Sequence, residues 1–142
     1  MKNLLFICVF LLSLSAFFAQ AVPIEIVNNA EDAIGKNLVT MFRDLIRSSP
    51  AYELTYSKND PHFVVHISTM DRYKGDDTAE GISTIYNYMI LLNLGDGTQL
   101  YCYSQLGYAG KSVISDVAYN IYTDLDEFVE SFKSTLTNSL EE

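Results

Sequence analysis

The stretch YNYMILLNLGDGTQLYCYSQLGY, residues 86–108, constrains the fold more than any other part of the chain. Two runs rich in strand-forming residues flank Gly95-Asp96-Gly97, and a three-residue loop with glycine in the left-handed position closes a β-hairpin. That closure sets Leu94 opposite Thr98, Leu92 opposite Leu100, Ile90 opposite Cys102, Tyr88 opposite Ser104 and Tyr86 opposite Leu106. Side chains alternate across a strand, so these residues share one mostly apolar face that should lie under helices. The other face carries Asn93 with Gln99, Leu91 with Tyr101, Met89 with Tyr103, and Asn87 with Gln105. A two-residue loop would slip the pairing by one and change which residues meet.

The rest of the chain supplies partners for this hairpin. Tyr52–Ser57 and His62–Asp71 have strand character and join Ile82–Leu94 and Thr98–Tyr108, divided by turn-rich segments and by the exposed loop RYKGDDTAEG. In His62–Asp71 the apolar set Phe63, Val65 and Ile67 joins the core, which turns His62, Val64, His66 and Ser68 outward. Before these strands, Ile34, Leu38, Met41, Phe42, Leu45 and Ile46 recur at helical spacing. Asn28-Asn29 is the expected N-cap, Glu31 and Asp32 the acidic first turn, and Ser48-Ser49-Pro50 the stop.

Val22–Val27 reads as a short strand or an ordered arm. After Gly110, apolar residues hold a helical period to the end of the chain, giving one long helix or two helices broken near Tyr122, where Thr123-x-x-Asp126 resembles a capping box. The expected fold is a two-layer α+β sandwich, a four-stranded, mainly antiparallel meander with the N-terminal and C-terminal helices on one face.

The first residues carry a targeting signal. One basic residue, Lys2, an apolar run from Leu4 to Phe18 and Ala19-Gln20-Ala21 form a signal peptide, 1–21, with cleavage expected after Ala21 and a single domain over 22–142. Its removal takes away Cys8 and its one charge, Lys2, shifting the formal net charge from −9 to −10 and leaving Cys102 as the only thiol. An exported chain with one cysteine holds itself together by packing rather than by an internal disulfide. The acidic balance and the lack of a basic cluster argue against nucleic acid and anionic lipid surfaces, and with no later apolar run of spanning length no stable membrane insertion is expected after cleavage. None of the nine asparagines begins a glycosylation acceptor, which favours a bacterial periplasm over a eukaryotic secretory route.

Chemistry is sparse. His62 and His66 lie about 13 Å apart on a strand at ~3.3 Å per residue, too far to share one metal ion. Gly107-Tyr108-Ala109-Gly110-Lys111-Ser112 lacks the earlier glycine of a phosphate-binding loop, and turn glycines with Ser112 as an N-cap explain it. Asp76, Asp77 and Glu80, and the helical Asp124, Asp126, Glu127 and Glu130, read as solvated acidic faces. Cys102 reads as a core thiol. No catalytic constellation, metal site or cofactor site emerges, and the candidate binding residues are Tyr101, Tyr103, Gln105, Asn87, Met89 and His66 on the open sheet face.

The helix ending Leu45-Ile46-Arg47-Ser48-Ser49 before Tyr52-Glu53-Leu54, the strand Phe63-Val64-Val65-His66-Ile67, the hairpin at Gly95-Asp96-Gly97 and the helix from Ser112 form a pattern. It resembles small bacterial periplasmic domains with an anticodon-binding-like α/β fold, among them the amino-terminal domain of the Tol-system propeller protein and the lipoprotein activators of cell-wall synthases. The resemblance implies a non-enzymatic adaptor whose partner is another envelope or secreted protein. The alternative is an acidic inhibitor or immunity protein that blocks a basic secreted enzyme or toxin. A small hydrolase using the loop carboxylates is the third reading.

Overall fold

A computed structural model describes residues 21–140 of the chain. The elements run β1 (Val22–Ala30), α1 (Ala33–Ser48), β2 (Tyr52–Leu54), β3 (His62–Asp71), β4 (Ser83–Asn93), β5 (Gln99–Gly110), one 3-10 turn (Lys111–Val113) and α2 (Ile114–Leu140). The strands form a single mixed sheet in the order β2-β1-β3-β4-β5. All but one residue of the expected leader, together with Cys8, lies outside the described residues.

The class is α+β, but the sheet is not a four-stranded meander. Val22–Ala30 is a full strand that inserts between β2 and β3 and runs parallel to both. Val22, Ile24 and Ile26 alternate into the core, which rewards a central position. Pro23 tolerates that position for a local reason. Val22 N donates to Ala51 O at 2.8 Å and Ile24 O accepts from Thr55 N at 3.0 Å, so these neighbours address β2 while Pro23 points the other way. On that side the ladder with β3 starts only at Ile24 opposite Phe63, and the missing N–H breaks no bond.

The N-cap of α1 is Asp32, whose Oδ1 accepts from Gly35 N at 2.8 Å, while Asn28 and Asn29 belong to β1. The expected cap was therefore placed too early, and the first helical turn holds no acidic residue. Ile34, Leu38, Phe42 and Ile46 bury one stripe of the helix, and Ser49 ends it. The C-terminal helix is continuous through Tyr122. Thr123 Oγ1 donates to Tyr119 O at 3.1 Å instead of capping a new helix, and Ile121, Leu125 and Val129 stay buried on either side. Ser112 caps nothing; Gly110 precedes the 3-10 turn without a side-chain bond.

Both helices pack on one face of the sheet. The core joins Leu38 and Phe42 of α1 and Ile121 and Leu125 of α2 to Ile24, Phe63, Val65, Ile67, Tyr88 and Ile90 of the sheet. Phe63 is gripped edge-on by Phe128 and Phe132 with ring centroids 5.9 and 5.6 Å away. These contacts exceed simple area burial by about 0.5–1.5 kcal/mol per pair.

Candidate functional site

The hairpin decides which residues the free face presents. Its turn closes as expected, with Gly95 and Gly97 at φ +85° and +88° and Leu94 N donating to Thr98 O at 3.0 Å. A side chain on Gly95 would also strike Asn59 O at 2.5 Å, so this turn admits only glycine there. Asn93 pairs with Gln99, Leu92 with Leu100 and Leu91 with Tyr101, as the closure dictates.

Beyond that point the expected register fails. A β-bulge between Ile90 and Leu91 lets Cys102 pass unpaired, so Ile90 meets Tyr103, Met89 meets Ser104, Tyr88 meets Gln105, Asn87 meets Leu106 and Tyr86 meets Gly107. Every β5 side chain after the bulge therefore changes face relative to the expectation. Tyr103 and Gln105 move to the helix side, and Ser104 and Leu106 move to the free side. Cys102 is half-buried in the bulge, and burial pushes its thiol pKa up. The one local signal of the shift was Gly107: Tyr86 lays its ring across it, and any Cβ there would sit 2.5 Å from the Tyr86 hydroxyl.

Of the six candidate binding residues, four share the free face: His66 opposite Met89 on β3 and β4, Asn87 beside them, and Tyr101 on β5. Leu91, Leu106 and Tyr108 extend that surface, and Leu106 and Tyr108 are about as exposed as Tyr101, at 71%, 70% and 65%. Arg72 stacks on the Tyr108 ring, its guanidinium carbon 5.0 Å from the centroid. Val64, in the middle of this face, is nonetheless fully buried between Glu25 and Leu91, its neighbours in register. His62 is also buried there, with Nδ1 2.6 Å from Asp60 O and Nε2 3.0 Å from Glu25 Oε2. The histidines are thus separate, one locked in a pair and one open to the surface.

Tyr103 and Gln105 belong instead to a polar seam between the hairpin and α2. The Tyr88 hydroxyl donates to the Asp124 carboxylate and lies 2.9 Å from Gln105 Oε1, which also accepts from the Tyr103 hydroxyl at 3.0 Å. Burial and then the Asp124 carboxylate hold the Tyr88 phenol far above its ordinary pKa. Tyr52 is raised in the same way by burial and by Asp126, which accepts from its hydroxyl at 2.5 Å. Asp124 and Asp126 are therefore not a solvated face: they fasten α2 to the sheet across separations of 36 and 74 residues. A cleft of about 240 Å³ lies along this seam, lined by Tyr86, Tyr88, Gln105, Asn120 and Asp124 among others.

A second polar hub sits at the start of α1. Asp32 Oδ2 accepts from Thr69 Oγ1 at 2.7 Å and from Thr84 Oγ1 at 2.8 Å. Burial raises the Asp32 pKa, but the bonds from Thr69, the Gly35 amide and Thr84 together outweigh it and hold the carboxyl below its ordinary value. Asp71 closes the acidic loop by accepting from Tyr73 N at 2.7 Å and Gly81 N at 2.6 Å. Each of these carboxylates has a structural partner. Among the described residues, no group of three His, Cys, Asp or Glu side chains is placed to hold a metal ion.

No helix among the described residues is long and apolar enough to cross a membrane. No protein-family model matches the chain, and no curated protein matches it. Among solved structures the chain is similar to rare lipoprotein B from Shewanella oneidensis, at 14% identity, covering 83% of this chain and 99% of that one, with a TM-score of 0.36. A likeness of that size carries no argument about function.

Proposed function

We propose that the protein is an exported, non-enzymatic binding module of the bacterial envelope that engages another protein through the free face of its sheet. One observation carries this reading: both helices lie on the opposite side, yet the free face is amphipathic, with Met89, Leu91, Tyr101, Leu106 and Tyr108 set among Asn87, His66 and Ser104. Aromatic and methionine side chains ringed by amides and hydroxyls are the composition of recognition surfaces, because they bury large apolar area inside a polar rim. The export signal expected at residues 1–21 and the sequence pattern's resemblance to periplasmic adaptor domains support the same reading.

The test places one charge in the centre of this face. Met89→Lys should abolish capture of a specific exported protein by the purified chain while far-ultraviolet circular dichroism and Tm hold. Unchanged capture, or no capture by the wild type, would refute the reading. The formal charge of −9 and the exposed Asp76, Asp77 and Glu80 favour a second reading, an inhibitor of a basic secreted enzyme. In that case affinity would fall steeply with salt, whereas capture through the apolar face would not.

A further inference from the structure

β5 is the edge of the sheet and hydrogen-bonds on one side only, to β4. Natural sheets blunt such edges with proline, lysine, short length or a covering helix. β5 runs for 12 residues, QLYCYSQLGYAG, without proline or any charged side chain, and eleven of them are at least partly solvent-facing, Ala109 alone being buried. Leu100, Tyr101, Tyr103, Leu106 and Tyr108 are 48%, 65%, 36%, 71% and 70% exposed. An uncharged aromatic edge on an acidic chain is a surface with an unassigned occupant.

We infer that the occupant is a second copy of this chain, added antiparallel along β5 about a two-fold axis at Gln105, so that two five-stranded sheets become one of ten strands. Two features favour a copy over an unrelated strand. The first is self-complementarity. With Gln105 opposite itself, Ser104 meets Leu106 on the free side, a small side chain facing a large one, and on the other side Tyr103 comes beside the Tyr86 ring that lies over Gly107. The bulge at Cys102 then restores the parity that brings Tyr101 opposite Tyr108; without it these rings would point to opposite faces.

The second feature is charge. Two negatively charged molecules repel, and β5 is a long uncharged edge along which they meet without setting carboxylates against each other. Continuing the same register carries the hairpin turn with Asp96 of one copy toward Lys111 of the other, an opposite-charge pair at each end. The area suffices as well. Three tyrosines and two leucines at these exposures present on the order of 500 Å² per copy, by the usual area of an aromatic side chain. Two copies thus offer roughly 1,000 Å² before the backbone edges are counted, which is the lower bound for a specific interface.

Such a dimer is read without any partner and leaves His66, Asn87 and Met89 free, while sharing Tyr101, Leu106 and Tyr108 with the partner reading above. The test is sedimentation equilibrium of the purified protein across a dilution series. The wild type should show twice the mass of one chain, whereas Ser104→Lys/Leu106→Lys and Ser104→Glu/Leu106→Glu, each clustering four like charges at the two-fold axis, should both sediment as folded monomers by circular dichroism. Mixed in equal amounts, the two variants should recover the dimer mass, because each lysine then faces a glutamate. A monomeric wild type at every concentration overturns the proposal without reference to any variant. Dimers that persist in both charged variants, or folded variants that stay monomeric when mixed, overturn this edge and this register respectively.

Discussion

Gly35 offers a prediction in which the sign of the effect separates two views of the fold. It lies in the first turn of α1, where a glycine facing solvent would gain about 1 kcal/mol of helix stability on replacement by alanine. Here the gain is overturned by the strand beneath. A Cβ at Gly35 would lie 1.7 Å from Thr69 Oγ1, 2.5 Å from Thr69 Cβ and 2.7 Å from Thr69 Cγ2. Something must move, and Thr69 is held by its bond to Asp32 Oδ2 at 2.7 Å, the carboxylate that also caps the helix.

Overpacking of this kind costs about 1–3 kcal/mol, and losing a hydrogen bond to a charged group about 1.5–3 kcal/mol. Set against the gain in propensity, Gly35→Ala should destabilise the protein by roughly 2–4 kcal/mol, a fall in Tm of roughly 8–15 °C for a domain of this size. Urea unfolding followed by circular dichroism measures this directly. Thr69→Ala in the same chain should not restore stability, because the contact with Thr69 Cβ remains. A Gly35→Ala variant as stable as the wild type, or more so, would refute the close seating of α1 on β3.

Two further predictions concern pH. The Tyr88 phenol has a raised pKa in the folded state, so its contribution is intact below about pH 10, the value for a free tyrosine, and is lost as pH rises beyond it. Tyr88→Phe should cost about 1–2 kcal/mol at neutral pH, from the bond to Asp124, and should flatten the alkaline decline in stability measured by urea midpoints. Asp32 behaves in the opposite sense: its folded pKa is lowered, so its contribution is present above about pH 4 and is lost as pH falls through the folded value. Asp32→Asn should cost about 1 kcal/mol or more at neutral pH, because the hydroxyls of Thr69 and Thr84 lose their charged acceptor, and make the variant less sensitive than the wild type to acid below about pH 4.

Local pattern carried much of this fold, and long-range pairing carried the rest. The stripe from Ile34 to Ile46, the strand Phe63-Val65-Ile67 and the glycine turn at residues 95–97 were legible because each is fixed by a period or by a backbone conformation that few residues adopt. The central place of β1 was not, since Val22–Val27 alternates like any edge strand and only its parallel neighbours, β2 and β3, reveal its rank. Of the two alternatives left open for the C-terminal segment, the break near Tyr122 falls away because the Thr123 hydroxyl finds the carbonyl of Tyr119. Asp124 and Asp126 looked solvated because a carboxylate on a helix gives no sign of the tyrosine that will reach it from a distant strand.

The candidate site divides along the same line. His66, Asn87, Met89 and Tyr101 fall on one face because alternation holds through β3, through β4 and up to the bulge. Tyr103 and Gln105 leave that face because one unpaired residue reverses the alternation after it, and the partner residues that set the shift lie on another strand. The same reversal brings Leu106 and Tyr108 outward, which supplies the apolar area that the expected register had placed under the helices.

The most direct measurement of whether the free face binds a protein is site-specific photocrosslinking in the living cell. A benzophenone side chain in place of Met89 reports on the centre of that face, and one in place of the exposed Lys36 reports on the outer surface of α1. The account predicts a discrete heavier adduct from position 89 that is absent from position 36. No adduct at position 89, or the same adducts at both positions, would contradict it.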